Sequence, residues 1–459
     1  MIADPQATDY VRFHPERCTG CADCLKVCPT RAIRLRRHTS VRFVDLCIGC
    51  GACIRVCTAG AITAAAVKPE TIVQDHVAIA LVSPVLYAQF PNVMPKDVLL
   101  GLRQMGFHHT IDMSIFLEMF QFAAAEFIRR NRESGEAPWP LISPVCPAVV
   151  RLIAFQFPSL LPNVLPVLRP VALMAREVRE RLIPQYEARG RKVIMYYINP
   201  CPTMAVSPTD GMAAARKHPA IPIGINEIYP ELKQRVEAIL QEVTPFSETL
   251  LEFETCATGN AALVAMSGGE IASMKIEKSM AVPGLKETTE YLQKIEMGLF
   301  QDVEYFEFRT CREGCLGGVL TAVDKYMAKS NVQRMLHIYG LGRRVPRNTI
   351  LRLYEKGRFQ PEQSAVELTR LFGDRKPALN LEQMERIETI LEQVAGWGCG
   401  ACGAPDCRTF AEDVVRGQTD MTDCHWQERG GDPPLPAASQ VTKSESEFRA
   451  GTLTFNSVL

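Results

Sequence analysis

Short stretches that are apolar at nearly every position recur through the middle of the chain: HVAIALVSP, WPLISPV, RKVIMYYINP and VEYFEF. A strand covered on both faces reads this way, because neither face can be left polar. Among them lie PKDVLLGLRQMGF, PVALMAREVRERLI and ETTEYLQKIEMGLF, whose apolar residues return every three or four positions. That is the period of a helix with one buried face. The alternation predicts an α/β protein of open, largely parallel sheets covered by helices. Towards the C-terminus the same period in LEQMERIETILEQVAGW puts Leu381, Met384, Ile387, Ile390, Leu391 and Val394 on one side of a helix. A second helix, RTFAEDVVRG, would turn Phe410, Val414 and Val415 inward.

At 459 residues the chain can hold two or three domains with real cores. Lys plus Arg equals Asp plus Glu at 51 each, so no basic excess favours nucleic acid or an anionic membrane surface. The most apolar run, VAIALVSPVLY at 77–87, is too short to span a bilayer and holds a proline. The opening MIADPQATDY lacks the basic and apolar regions of a signal peptide, so the expected location is the cytoplasm. Boundaries are expected near 66, in ITAAAVKPE, and near 378, in GDRKPALN. Residues 428–459 are rich in Pro, Gly and Ser and are expected to form a disordered or partner-binding tail.

The cysteines change the picture. Seventeen are present, eight of them in the first 57 residues and four in the last 61. Disulfides are unexpected in a reducing compartment, so clustering of this kind points to metal–thiolate sites. CTGCADCLKVCPT and CIGCGACIRVCTAG share the spacing C-x2-C-x2-C-x3-C of bacterial ferredoxins. Three thiolates of such a run wrap one cubane and the fourth reaches the other. The expected ligand sets are Cys18, Cys21, Cys24 and Cys57 for one 4Fe–4S cluster, and Cys47, Cys50, Cys53 and Cys28 for the second. Gly20, Gly49 and Gly51 permit the tight turns. Pro29 follows the first run as it does in ferredoxins, whereas Thr58 follows the second. Structural zinc fits less well, since its knuckles pair C-x2-C units across a spacer.

Near the other end, GWGCGACGAPDCRTFAEDVVRGQTDMTDC carries Cys399, Cys402, Cys407 and Cys424. Over roughly 382–426 it resembles the small 4Fe–4S domain of corrinoid iron–sulfur proteins and of membrane ferredoxin-oxidising complexes; a zinc knuckle is the alternative. His425 is expected at the surface, and His108–His109 at a solvated helix end.

Four further cysteines follow the strand-like runs: Cys146, Cys201, Cys311 and Cys315. In parallel sheets, ligand-bearing loops lie at the carboxyl ends of strands. SPVCPAVV, NPCPTM and EFRTCREGCLGGVL resemble the three cysteine motifs of iron-only (FeFe) hydrogenases, through Cys146–Pro147, Pro200–Cys201, and Glu307, Cys311, Gly314, Cys315 and Gly318. The resemblance covers roughly 70–380 and, with the loop GGVLTAV, leans to the divergent, sensory-type branch of the family. It implies a core of two helix-covered, largely parallel sheets in which the four cysteines hold a third cubane, making four 4Fe–4S clusters with the terminal ones. It divides the chain into a small α+β ferredoxin domain (1–66), the hydrogenase-like domain (67–378), a small helical 4Fe–4S domain (379–427) and the tail. Buried core thiols are the plainer reading of Cys146 or Cys201 singly.

Departures from the family motifs bear on activity. Val145 stands where productive hydrogenases have a proton-relaying thiol, and valine exchanges no proton. Met204 stands where a lysine donates to a cyanide of the two-iron unit, a charge-assisted contact worth about 1.5–3 kcal/mol. Arg309 replaces a methionine, and Val319 and Leu320 replace glycines expected to leave room for that unit. The expected function is therefore electron relay through four 4Fe–4S clusters, with ferredoxin- or flavin-type redox partners. The runner-up is a slow or sensory hydrogenase that keeps a two-iron subcluster. In that case Cys315 and Glu307 would serve it, with Cys256 as a substitute proton carrier beside Glu252 or Glu254. A third reading is a regulator whose partner affinity follows its redox state.

Overall fold

The computed structural model describes residues 11–64, 76–205, 218, 220–241, 259–340, 342, 344–361, 367, 379–394 and 396–425. Two compact units emerge, one of Met1–Leu379 with Gly403–Pro405, the other of Asn380–Cys402 with Asp406–Leu459.

In the first unit the N-terminal segment is small and α+β. Strands β1 (Val11–Phe13) and β4 (Ile62–Ala64) pair antiparallel, as do β2 (Ile33–Arg36) and β3 (Thr39–Arg42). Each cysteine run opens a short helix, Asp23–Lys26 or Ala52–Val56. Beyond this segment come β5 (Val77–Val82), β6 (His109–Asp112), β7 (Leu141–Ile142), β8 (Val193–Asn199), β9 (Ala220–Gly224), β10 (Ser279–Pro283) and β11 (Tyr305–Arg309). They form two all-parallel sheets, of order β6-β5-β8-β9 and β10-β11-β7. The architecture is α/β with two helix-covered parallel sheets.

Alternation along β5 shows why its sequence is unbrokenly apolar. Ala78, Ala80 and Val82 bury against helices Pro95–Gln104, Ile225–Gln241 and Lys325–Tyr339, through Leu99, Leu232 and Val332. Val77, Ile79 and Leu81 bury on the opposite face with Leu117, Met174 and Val264. Strands with polar faces could not occupy this position. Helix Ser114–Ser134 serves both sheets: Leu117 lies in the core of the four-stranded one, and Phe120 and Phe127 bury with Leu141 and Tyr305 of the three-stranded one.

The residues expected at a solvated helix end lie elsewhere. His109 opens β6 with its Nε2 2.5 Å from the Tyr186 hydroxyl, and His108 Nδ1 accepts from the Ala78 N–H at 3.1 Å. Helix Pro95–Gln104 has already ended, and Gly106, at φ +104°, turns the chain into the sheet.

On β11 the other face is ionic. Phe306 and Phe308 enter the apolar core, while Tyr305, Glu307 and Arg309 point the opposite way. Arg309 Nη2 lies 2.7 Å from Glu270 Oε2 and 3.4 Å from Glu307 Oε1. Tyr305 and Ser143 donate to Glu270, and Glu307 accepts the N–H groups of Gly268, Glu270 and Ile271. One buried cation thus serves two buried carboxylates. Burial pushes Glu307 up to about 7, with Arg309 opposing and Glu270 adding to the rise.

In the second unit, helix Leu381–Gln393 starts with a capping box between Asn380 and Gln383 and packs on helix Cys407–Val415. Ile387, Ile390, Val394, Phe410 and Ala411 are buried. Leu381 and Met384 remain exposed, so the buried stripe begins a turn later than the apolar period implied.

Removing the cation from the triad leaves two charges facing each other away from water. Arg309→Met is expected to cost about 3–5 kcal/mol in a denaturation experiment, whereas Glu307→Gln, which removes the surplus charge but leaves a backbone N–H without its acceptor, should cost less, about 1–3 kcal/mol.

Candidate metal centres

Electrostatic neighbours sort the N-terminal cysteines. Cys24 is pushed up to about 11 by burial and then by Cys21, Cys18 and Cys57. Cys53 is pushed up to about 12 by burial, Cys28 and Cys47, with a smaller contribution from Cys24. Cys50 rises well above an ordinary thiol through burial, with Cys28, Cys53 and Cys47 adding. The fold therefore brings Cys57 back to the first run and Cys28 across to the second. Left-handed turns at Gly20 (φ +71°) and Gly51 (φ +74°) make this possible, since a side chain at either would be strained. Cys18 departs from the rest: burial raises it, but donors from Gly20 and Ser40 prevail and its pKa is lowered.

The central four cysteines come from three loops at the carboxyl ends of β7, β8 and β11, and so from both parallel sheets. Cys146 sits at the start of helix Pro147–Gln156. Cys201 follows β8, its N–H donating to Asn199 Oδ1 at 3.0 Å. Cys311 follows β11, and Cys315 lies in the turn Gly314–Gly317. Burial pushes Cys201 up to about 12, with Cys311 and Cys146 contributing. Cys315 reaches about 12 through burial and through Cys146, Cys311 and Cys201, although Arg309 lowers it. Close backbone approach holds the loops together: a Cβ on Gly318 would lie 2.3 Å from the Pro200 carbonyl oxygen. The Leu320 N–H donates to that same oxygen at 2.9 Å.

Four thiols gathered so closely can become thiolates together only around a positive centre. Soft sulfur donors in such sets suit iron–sulfur clusters or zinc. Among the described residues no three His, Cys, Asp or Glu side chains are disposed to hold a single metal ion. In the N-terminal and central quartets the sulfurs nonetheless influence one another.

Beside Cys315 lies a cavity of about 30 Å³, room for one or two waters. Its wall includes Val85, Met113, Val145, Met204 and one charged side chain, Arg169. Arg169 is fully buried and donates to the Met204 carbonyl oxygen at 2.7 Å. Sequence reasoning passed over it, though it is the single charge within NVLPVLRPVALMA. Val319 and Leu320 do not fill this space as expected. Val319 lies against Gly51 of the N-terminal segment, and Leu320 is buried beside Gly224. Glu307 belongs to the ionic network under the loops. Cys256, Glu252 and Glu254 lie outside the described residues.

At the C-terminal end, Cys399 and Cys402 occupy the loop between the two helices, Cys407 begins the second, and Cys424 follows the turn Met421–Asp423. The Gly398 N–H donates to Cys407 Sγ at 3.3 Å, and Asp406 caps the helix through the Thr409 N–H at 2.8 Å. His425 is exposed.

Three family models match the chain. Residues 76–204 match the iron only hydrogenase large subunit, C-terminal domain; residues 10–58 match a 4Fe-4S dicluster domain; and residues 396–425 match a model described as "Putative Fe-S cluster". The chain is thus similar to iron-only hydrogenases over one stretch and to iron–sulfur cluster domains towards each end. No curated protein matches the chain. Similar solved structures include an apo variant of the FeFe hydrogenase HydA1 from Chlamydomonas reinhardtii, at 18% identity and a TM-score of 0.45 over 64% of this chain and 93% of that one. A HydA(deltaEFG) structure concerned with stepwise H-cluster assembly has 16% identity and a TM-score of 0.44 over the same shares. Among the described residues no helix is long and apolar enough to cross a membrane.

Gly318→Ala sets a methyl group against backbone, which no rotamer change relieves. Protein assembled without air is expected to lose the central iron while the N-terminal segment keeps its own. Gly342→Ala, where a Cβ meets nothing within 4 Å, should keep the wild-type iron content. Iron and sulfide analysis of both variants checks this.

Proposed function

We propose that the chain relays electrons within a larger cytoplasmic redox assembly through four 4Fe–4S clusters and holds no two-iron hydrogenase centre. Sixteen cysteines would ligate them: the two N-terminal quartets, Cys146 with Cys201, Cys311 and Cys315, and Cys399 with Cys402, Cys407 and Cys424. Each cubane, when bound, supplies a one-electron couple. The carrying observation is the central site. Its four thiols are complete, while the wall of the cavity beyond Cys315 is almost wholly apolar and lacks the groups that would hold a two-iron unit with its diatomic ligands. Val145 and Met204 line that cavity and offer neither a proton carrier nor a charged donor. One observation favours the runner-up hydrogenase: Arg169 keeps a buried cation at the same wall. Its hydrogen bond to the Met204 carbonyl commits it to the protein, which weighs towards relay.

The surface of the N-terminal segment supports a choice of partner. Residues 11–64 carry nine Lys or Arg against three Asp or Glu, on a chain that is neutral overall. Cys21 is exposed there, as are Arg12, Arg17, Lys26, Arg31 and Arg37. An open cluster edge in a basic field suits an acidic ferredoxin- or flavin-type donor.

Infrared spectra of the anaerobically matured protein are expected to lack carbonyl and cyanide stretches, with iron and sulfide both near about sixteen, four per cluster. Those stretches would establish the hydrogenase reading. The rate of reduction by an acidic ferredoxin should fall steeply as salt rises; a flat dependence would contradict the basic docking face.

A further inference from the structure

Helix Ala52–Val56 runs between Cys53 of one N-terminal quartet and Cys57 of the other, and Arg55 leaves it in a different direction. Its Nη2 donates to Cys311 Sγ at 2.7 Å and to the Gly317 carbonyl oxygen at 3.0 Å. One side chain of the ferredoxin-like segment thereby touches a central cysteine 256 positions away in sequence. We infer that Arg55 is a charge bridge that raises the reduction potential of the cluster held by the central quartet, drawing electrons inward from the N-terminal pair. This rests on the central quartet holding a 4Fe–4S cluster, as proposed above.

The physical case has three parts. A donor to a ligand sulfur stabilises the added electron, and so does a positive charge beside it. The cation is also held in place. Its two acceptors, Cys311 Sγ and the Gly317 carbonyl oxygen, lie on one loop and fix the guanidinium there. Of the other nearby cations, Arg309 is shared between Glu270 and Glu307 and Arg169 donates to the Met204 carbonyl oxygen, whereas Arg55 donates to a ligand sulfur itself.

A bridge of this kind differs from a mere latch because the two segments are joined without it. Ile48, Cys50 and Ala52 bury in one core with Ala148, Val149 and Phe306. Gly51 meets Val319, and Gln156 donates to the Pro29 carbonyl oxygen at 2.5 Å. Arg55 can therefore be changed while docking persists.

The test uses the full chain, assembled without air, as wild type, Arg55→Met, Arg55→Gln and Arg55→Lys. Potentiometric titration is followed by electron paramagnetic resonance, and the central signal is assigned by its loss in Cys201→Ala. Arg55→Met is expected to make the central couple at least tenfold harder to reduce at fixed potential, about 59 mV for one electron. The N-terminal couples should move less. Arg55→Gln, which keeps a donor without charge, should fall between, and Arg55→Lys should recover most of the shift. An Arg55→Met protein with full iron that titrates like wild type would overturn the inference and leave the relay reading standing. Loss of the central iron in Arg55→Met would make Arg55 a latch and overturn it as well. Wild type without a central signal would sink both.

Discussion

The structure turns on the resistance to ionisation of thiols gathered out of water. Cys146, Cys201, Cys311 and Cys315 are carried by loops of two separate sheets, and burial together with proximity drives Cys201 and Cys315 up to about 12. Isolated buried cysteines would stay protonated and inert. In a quartet of them the protons would be given up together only to a positive centre, so a metal bound there would release protons and tie the loops together. The close approach of Gly318 to Pro200 and the hydrogen bond from Leu320 to the same carbonyl hold those loops at a fixed spacing.

Around that quartet the chain arranges three arginines with different work. Arg309 neutralises carboxylates beneath the loops and lowers Cys315. Arg169 closes the wall of the adjoining cavity by binding the Met204 carbonyl. Arg55 arrives from the N-terminal segment and reaches Cys311. Charge near a cluster sets its potential as surely as the ligands set its type. Arg55 thus joins the N-terminal segment to the central loops by a side chain as well as by packing.

Much of this was legible. Central strands β5, β8 and β11 announced themselves because both faces are covered; cysteine spacing pointed to the terminal quartets, and strand ends with family-like motifs pointed to the central one. Edge strands were harder. β9 contains Pro222 and β10 ends at Pro283, which edge positions tolerate and which break the apolar run. Helix Ser114–Ser134 escaped notice because it buries residues against two sheets and lacks a clean polar face. His109 read as a helix end because only four residues, not a long loop, separate that helix from the next strand. Val319 and Leu320 were assigned to the metal unit by alignment with a motif, whereas their real neighbours, Gly51 and Gly224, are distant in sequence. Arg55 carried no local signal, since its partner lies in another module. Arg169 did carry one, as a lone charge in an apolar run.

The most direct measurement is a crystal structure of anaerobically prepared protein with anomalous data collected at the iron and zinc edges. The account predicts a compact four-iron peak within reach of Cys146, Cys201, Cys311 and Cys315, with no iron in the cavity lined by Val145, Met204 and Arg169. Additional iron in that cavity, or a zinc peak at the quartet, would contradict it.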